Sequence, residues 1–325
     1  MPRGCINAVG PDGIGTKTVV VDAAFLHGEC GYDLLAMGAG DITRWGGLPL
    51  VFTNDLNVKT LGKEKDRTNE ACKALIRGLG QAVTDLEMVL LQGETAELGI
   101  CVGSDNHNAI VAFNWDGTAH GVYHLKKMIL GDTLSEGQAI MALREYGFRC
   151  NGYSSVRKAF ALKFGPEWYK NPKAKKAIQQ AARHSTLYDL FLTDMNGWRN
   201  VNYEPIIKMH LIVHVTGGSI RSKFAEDILF PQGLSADLPD LWELPEIMRQ
   251  CAKWRGMSDE ECHEIWNGGQ GALVVIDKDD VPEFIELAGG YNLEAKQAGK
   301  ITKEREPIVR IASKFKGGDI IFRPE

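Results

Sequence analysis

The chain has 325 residues, 44% of them hydrophobic and 24% charged, with a formal net charge of −5. That length exceeds what one hydrophobic core usually supports, so two domains are expected, and the scattered basic residues give no footprint for nucleic acid. Seven irregularly spaced cysteines without a C-x-x-C pair argue against a disulfide framework or zinc cage and for a reducing compartment. The first thirty residues lack a basic start followed by a long apolar stretch, and no apolar run is long enough to span a bilayer. A soluble cytoplasmic protein without a membrane partner is the expectation. Lys170, Lys173, Lys175 and Lys176 read as a solvated helix face.

Residues 18–24 (TVVVDAA) read as a strand from their β-branched density. Residues 31–46 follow at helical spacing despite four glycines, and 48–58 return to strand character. A helix over 64–85 places Cys72, Leu75, Ile76, Leu79 and Val83 on one stripe. Strands are expected at 88–94 and 109–115, the second ending at a turn, Asp116-Gly117. A break at Leu130-Gly131-Asp132 suggests domains at 1–130 and 131–325. Beyond it come a strand at 138–145, a helix at 154–164 and a strand at 207–215. A capping box, Ser258 with Glu261, opens a helix running into Trp266, and strands follow at 271–277 and 307–312. Strands and helices do not alternate strictly, so the fold class is α+β with two mixed sheets flanked by helices, not a Rossmann unit.

Glycine, acid and hydroxyl residues cluster where strands end. In Asp12-Gly13-Ile14-Gly15-Thr16-Lys17 the glycines permit close backbone approach, Asp12 suits Mg²⁺ and Lys17 suits phosphate. The spacing is not that of a P-loop, and a plain turn remains open. Asp41 sits on an apolar stripe, either paired with a metal or exposed. Glu94 and Glu97 flank Thr95 after an apolar strand, suiting a metal–phosphate site, with Thr95 as a helix N-cap the rival reading. Asn151-Gly152-Tyr153-Ser154-Ser155 opens a helix, as Thr216-Gly217-Gly218-Ser219 does, and helix N-termini favour anions. Cys150 reads as an inert thiol or a nucleophile. His120 and His124 do not form a helical metal pair, since Gly121 and β-rich surroundings separate them.

Six segments in order, D-G-I-G-T-K (12–17), G-Y-D-L-L-A-M…D (31–41), G-E-T-A-E (93–97), N-G-Y-S-x-V-R-K (151–158), H-V-T-G-G (214–218) and N-x-G-x-G (267–271), resemble the aminoimidazole ribonucleotide (AIR) synthetase family, the PurM-like proteins. The resemblance runs from about residue 10 to the C-terminus. It implies a homodimer joined through the N-terminal sheets. It also implies an ATP- and Mg²⁺-dependent cyclo-ligase acting on formylglycinamidine ribonucleotide or a similar small molecule. In that reaction the amide oxygen is phosphorylated, an iminophosphate forms, and a nitrogen displaces phosphate to close the imidazole ring of a purine precursor. Carried over by position, Asp12, Asp41 and Glu94 would hold Mg²⁺, and Asp12, Lys17 and Asn151 would serve catalysis. Gly13, Gly15, Thr16, Thr95, Arg149, Gly152, Tyr153, Ser154, Thr216, Gly217 and Gly218 would line the ATP and substrate side.

The chain departs from the family where Gly147-Phe148-Arg149-Cys150 stands for G-L-H-S, where Gln92 replaces a glycine and where Asn54-Asp55 shifts an acid. It departs again around Leu187–Thr193, which lacks P-T-R-x-Y, and ahead of Asp12, where a glycine-rich stretch is expected. Arg149 there suits a phosphate through its planar fork. Two other functions remain open, an enzyme phosphorylating another amide or imidate and a non-catalytic nucleotide-binding paralogue.

Overall fold

A computed structural model describes residues 4–324. The first unit folds as β1 (Cys5–Gly13), α1 (Lys17–Ala24), α2 (Cys30–Thr43), β2 (Leu48–Val58), α3 (Arg67–Asp85), β3 (Val89–Glu97) and β4 (Phe113–His124). Its sheet runs β1-β4-β2-β3, antiparallel except for the β2/β3 pair. Burial alternates along β2 and β4: Phe52, Leu56, Trp115 and Ala119 face α2 and α3, while Asp55, Asn114 and Asp116 face away. This is the period of two expected of a half-covered sheet. Helix α3 buries Cys72, Leu75, Leu79, Ala82 and Val83, and its N-cap Asp66 accepts from the Asn69 amide at 2.8 Å.

The second unit comprises β5 (Ala139–Arg144), α4 (Tyr153–Phe164), α5 (Lys175–Ala181), α6 (Asp189–Met195), β6 (Met209–His214), β7 (Ser235–Leu238), α7 (Glu246–Arg255), α8 (Asp259–Ile265), β8 (Gln270–Ile276), α9 (Val281–Gly290), β9 (Ala295–Thr302), β10 (Val309–Ala312) and β11 (Asp319–Phe322). Its seven-stranded mixed sheet is ordered β11-β10-β7-β9-β5-β8-β6, with a parallel β7/β10 pair. The Ser258 hydroxyl accepts from the Glu261 amide, and the Ser258 amide donates back to Glu261, so the capping box forms.

Two expectations fail here. Residues 18–24 form helix α1, because Val19, Val20 and Val21 are all buried and a helix covered on every side shows no amphipathic period. Asp116-Gly117 lies inside β4, where a Cβ on Gly117 would overlap the Phe52 ring. The glycine admits that ring and does not turn the chain.

The units share one apolar cluster, in which Ile14, Val20 and Leu34 of the first pack with Phe148, Tyr153, Phe160 and Ala181 of the second. Charges also cross the junction. The Lys17 ammonium donates to Asp33 Oδ1 at 2.7 Å, Arg149 O at 2.9 Å and Arg183 O at 2.8 Å, and both Lys17 and Asp33 side chains are fully buried. The Ser185 amide and hydroxyl complete the shell around Asp33. Buried charges persist only when paired and hydrogen-bonded in this way.

Candidate functional site

The end of β1 delivers Asp12 to a depression of ≈ 500 Å³ lined also by Pro11, Thr53, Asp55, Asp116 and Thr118. Strand register builds this floor, since Gly13 opposes Asp116, Asp116 opposes Asp55, and Asp55 opposes Glu94. Asp12 stays open to solvent at the rim, yet protein crowds around it. Its carboxyl is pushed above the usual range, by burial first and also by the charges of Asp41 and Asp116, against a lowering hydrogen bond from the Gly13 amide at 2.7 Å. Burial likewise raises the Asp41 carboxyl, opposed by the positive charges of Arg44 and Lys223. Gly15 and Thr16 lie exposed in the loop between β1 and α1.

Helix α2 carries Asp41 to the second unit. A Cβ on Gly40 would overlap the His214 ring, so bare backbone is required where β6 ends against α2. The His214 ring is buried, its Nε2 has no partner, and desolvation followed by repulsion from Arg149 and Arg44 holds it neutral. The chain then passes through Thr216, Gly217 and Gly218, with Gly217 exposed and close to the Asn151 amide oxygen. Asn151 Nδ2 is buried without a partner, a donor left available beside the glycine turn. Gly152 caps α4 and packs on Trp266, and Ser154 is exposed on the first turn.

Several expected site residues stand elsewhere. All three Lys17 donors are engaged inside the protein, which leaves none for a phosphate. Arg149 is 1% exposed, donating to Glu145 Oε2 at 3.0 Å, to Thr186 O at 3.1 Å and to Ala36 O, so it cannot reach a ligand phosphate. Tyr153 is 2% exposed and donates its hydroxyl to Ala181 O, making it a core residue under Lys17. Thr95 lies inside edge strand β3, opposite Leu56, and caps no helix. Asp12, Asp41 and Glu94 do not form one ligand set. Glu94 sits three strands from β1, and among the described residues no three His, Cys, Asp or Glu side chains are grouped to hold a metal. Cys150 is half-buried, its thiol directed at Asp33 O, and desolvation of the thiol and Asp33 push its pKa far up, which suits an inert thiol.

The sequence reading missed Asp116, hidden in an apparent turn, missed Arg44, three residues after Asp41 at the end of α2, and missed Lys223, which only the meeting of α2 with the residues after β6 brings beside Asp41. Asp55 and Asp116 share the outward parity of their strands, the one signal that could have grouped them.

A two-unit α+β protein with these mixed sheets belongs to the PurM-like fold class. Residues 4–122 match the family model for the N-terminal domain of AIR synthase related proteins and residues 135–312 that for the C-terminal domain, so the chain belongs to this family. It is similar to the phosphoribosylformylglycinamidine cyclo-ligase of Staphylococcus saprophyticus, at 27% identity over 92% of this chain and 81% of the relative. The enzyme of that name from Myxococcus xanthus is 28% identical over 90% and 79%. Thiamine-monophosphate kinase of Stenotrophomonas maltophilia superposes with a TM-score of 0.62 at 13% identity, covering 95% of this chain and 86% of that one. The hydrogenase maturation protein HypE in complex with ATP superposes at 0.59, also at 13% identity, over 98% and 85%. The structural likenesses carry the fold. Among the described residues no helix is long and apolar enough to cross a membrane.

Proposed function

We propose that the chain is an ATP-dependent phosphoribosylformylglycinamidine cyclo-ligase. The observation that carries this reading is the match of both units to the family, beside two acids close enough for their charges to act on each other, Asp12 and Asp41, and a glycine turn at Gly217 close to Asn151. The named relatives supply the reaction.

Asp12 and Asp41 fit a Mg²⁺ shared with nucleotide phosphates, because burial and their mutual charge already raise the Asp12 carboxyl, a cost that a divalent cation would relieve. Glu94 does not fit that set. The ion would neutralise phosphate charge during phosphoryl transfer. Around it, Lys223 and Arg44 supply positive charge beside Asp41, and Asn151 with the Thr216–Gly218 turn orients the amide. The amide oxygen attacks the γ-phosphorus and ADP departs. The amidine nitrogen then attacks the activated carbon, and the C–O bond breaks with release of phosphate. His214 stands buried behind the turn as a neutral positioning group.

A second reading, phosphorylation of a different amide or imidate, is favoured by the buried Arg149–Glu145 pair at the substrate turn. The test is ADP release with formylglycinamidine ribonucleotide. Release that depends on this compound supports the cyclo-ligase, and release with only other amides supports the second reading. No release with any of them refutes both.

We further propose a homodimer through the outward face of the β1-β4-β2-β3 sheet, where Val9, Val89 and Leu91 stand 56%, 56% and 68% exposed. Sedimentation at micromolar concentration should give twice the chain mass; a monomer would contradict the pairing.

A further inference from the structure

A second pocket of ≈ 500 Å³ lies where the two units meet, and it shares no lining residue with the depression at Asp12. Tyr32 and Asp85 of the first unit form one wall, and Tyr146, Arg183, His184 and Tyr291 of the second form the other. The Tyr32 and His184 rings lie 4.8 Å apart, and the Arg183 guanidinium sits 4.4 Å from the Tyr146 ring centroid.

The acids at this pocket are already engaged. Asp85 accepts from the Tyr32 hydroxyl at 2.5 Å and from Gln81 at 2.8 Å. Glu294 accepts from Tyr146 and from Arg144, and Asp194 accepts from Tyr291 and from Arg199. Each tyrosine hydroxyl is therefore taken, and the Tyr146 ring also carries the Arg144 guanidinium at 4.9 Å. Arg183 has no carboxylate partner among the described residues. His184 Nδ1 donates to Ser185 O at 3.0 Å, which leaves Nε2 unengaged. Hydrogen-bonded acids, clustered aromatic rings and a guanidinium without a carboxylate partner describe a site for a flat ring carrying negative charge. The volume falls within the range of ordinary small-molecule pockets.

The back of the same segment is fixed in the buried charge network. Arg183 O accepts from Lys17, the Ser185 amide and hydroxyl donate to Asp33, and the Thr186 amide donates to Glu145. A ligand on Arg183 thus acts on the residue that receives Lys17, at the foot of the D-G-x-G loop.

We propose that this inter-unit pocket binds an aromatic ring bearing a phosphate or carboxylate, packed among Tyr32, Tyr146, His184 and Tyr291 and anchored by Arg183. The proposal rests on the pocket and not on the cyclo-ligase reading. Titration calorimetry on the full chain with 5′-AMP, benzoate, adenosine and ribose 5-phosphate tests it. At least one of 5′-AMP and benzoate should bind, and the one that does separates a phosphate occupant from a carboxylate one. Adenosine and ribose 5-phosphate, which lack the anion or the aromatic ring, should bind at least about tenfold more weakly than 5′-AMP where that is the ligand. Arg183→Gln should weaken the bound probe by about tenfold or more, the loss of one charge-assisted hydrogen bond, with an unchanged thermal midpoint because the Arg183 side chain is exposed. Asp12→Asn should leave the affinity unchanged, which separates this pocket from the depression at Asp12. Amide hydrogen exchange at residues 14–18 should slow on binding. Absence of binding by both 5′-AMP and benzoate, or equal affinity in Arg183→Gln, overturns the proposal.

Discussion

Replacing Lys17 with Met separates a buried structural lysine from a phosphate ligand. In the native protein the Lys17 ammonium has three acceptors, Asp33 Oδ1 at 2.7 Å, Arg149 O at 2.9 Å and Arg183 O at 2.8 Å, with no exposed side-chain surface on Lys17 or Asp33. Met fills similar volume but leaves the Asp33 carboxylate buried with only the Ser185 amide and hydroxyl as donors. Breaking one side of a buried pair costs about 3–5 kcal/mol, and two carbonyl acceptors across the unit junction lose their donor as well. Urea unfolding of Lys17→Met should therefore show a loss of that size, and Lys17→Met with Asp33→Leu should regain part of it, since the orphaned charge is removed. A loss below about 1 kcal/mol, the size of a surface ion pair, together with weakened ATP binding, would refute the structural role and restore Lys17 to the phosphates.

Acid should weaken the fold through His263. The ring is buried with neither nitrogen partnered, and burial pushes its pKa down to about 4. The unfolded chain takes up this proton below pH ~6.5 and the folded chain resists until about 4, so stability falls across that window by about 3 kcal/mol. His263→Phe should flatten this part of the profile of unfolding free energy against pH; an unchanged slope would place the titration elsewhere. Gly40→Ala drives a methyl into the His214 ring and should cost about 1–3 kcal/mol in thermal unfolding. Combining it with His214→Ala should recover part of that loss, and a neutral Gly40→Ala would show that α2 and β6 meet less closely than described.

Elements with one covered face were legible in the sequence. The α3 stripe, the alternation along β2 and the Ser258–Glu261 capping box follow from local chemistry. Helix α1 was not, since its run of valines is buried on every side and periodicity carries no signal there. The glycine-rich segments marked the loops at the cleft, because close approach needs glycine at short range. The fate of the charges in those segments was invisible, since Lys17 meets Asp33 while Arg149 meets Glu145, and only tertiary packing decides whether a cation points into a cleft or into the core. Arg149 also illustrates how a departure from a family motif misleads when read as a ligand. Its compensating acid lies four residues earlier, one helical turn's spacing away in sequence.

In the proposed reaction the amide oxygen is phosphorylated and leaves as phosphate when the ring closes. Formylglycinamidine ribonucleotide labelled with oxygen-18 at the formyl oxygen, incubated with ATP and the protein, follows that atom directly. The label is expected in inorganic phosphate, one oxygen per ring closed, with one ADP formed. Label remaining in the organic compound, or released to water while phosphate stays unlabelled, would contradict it.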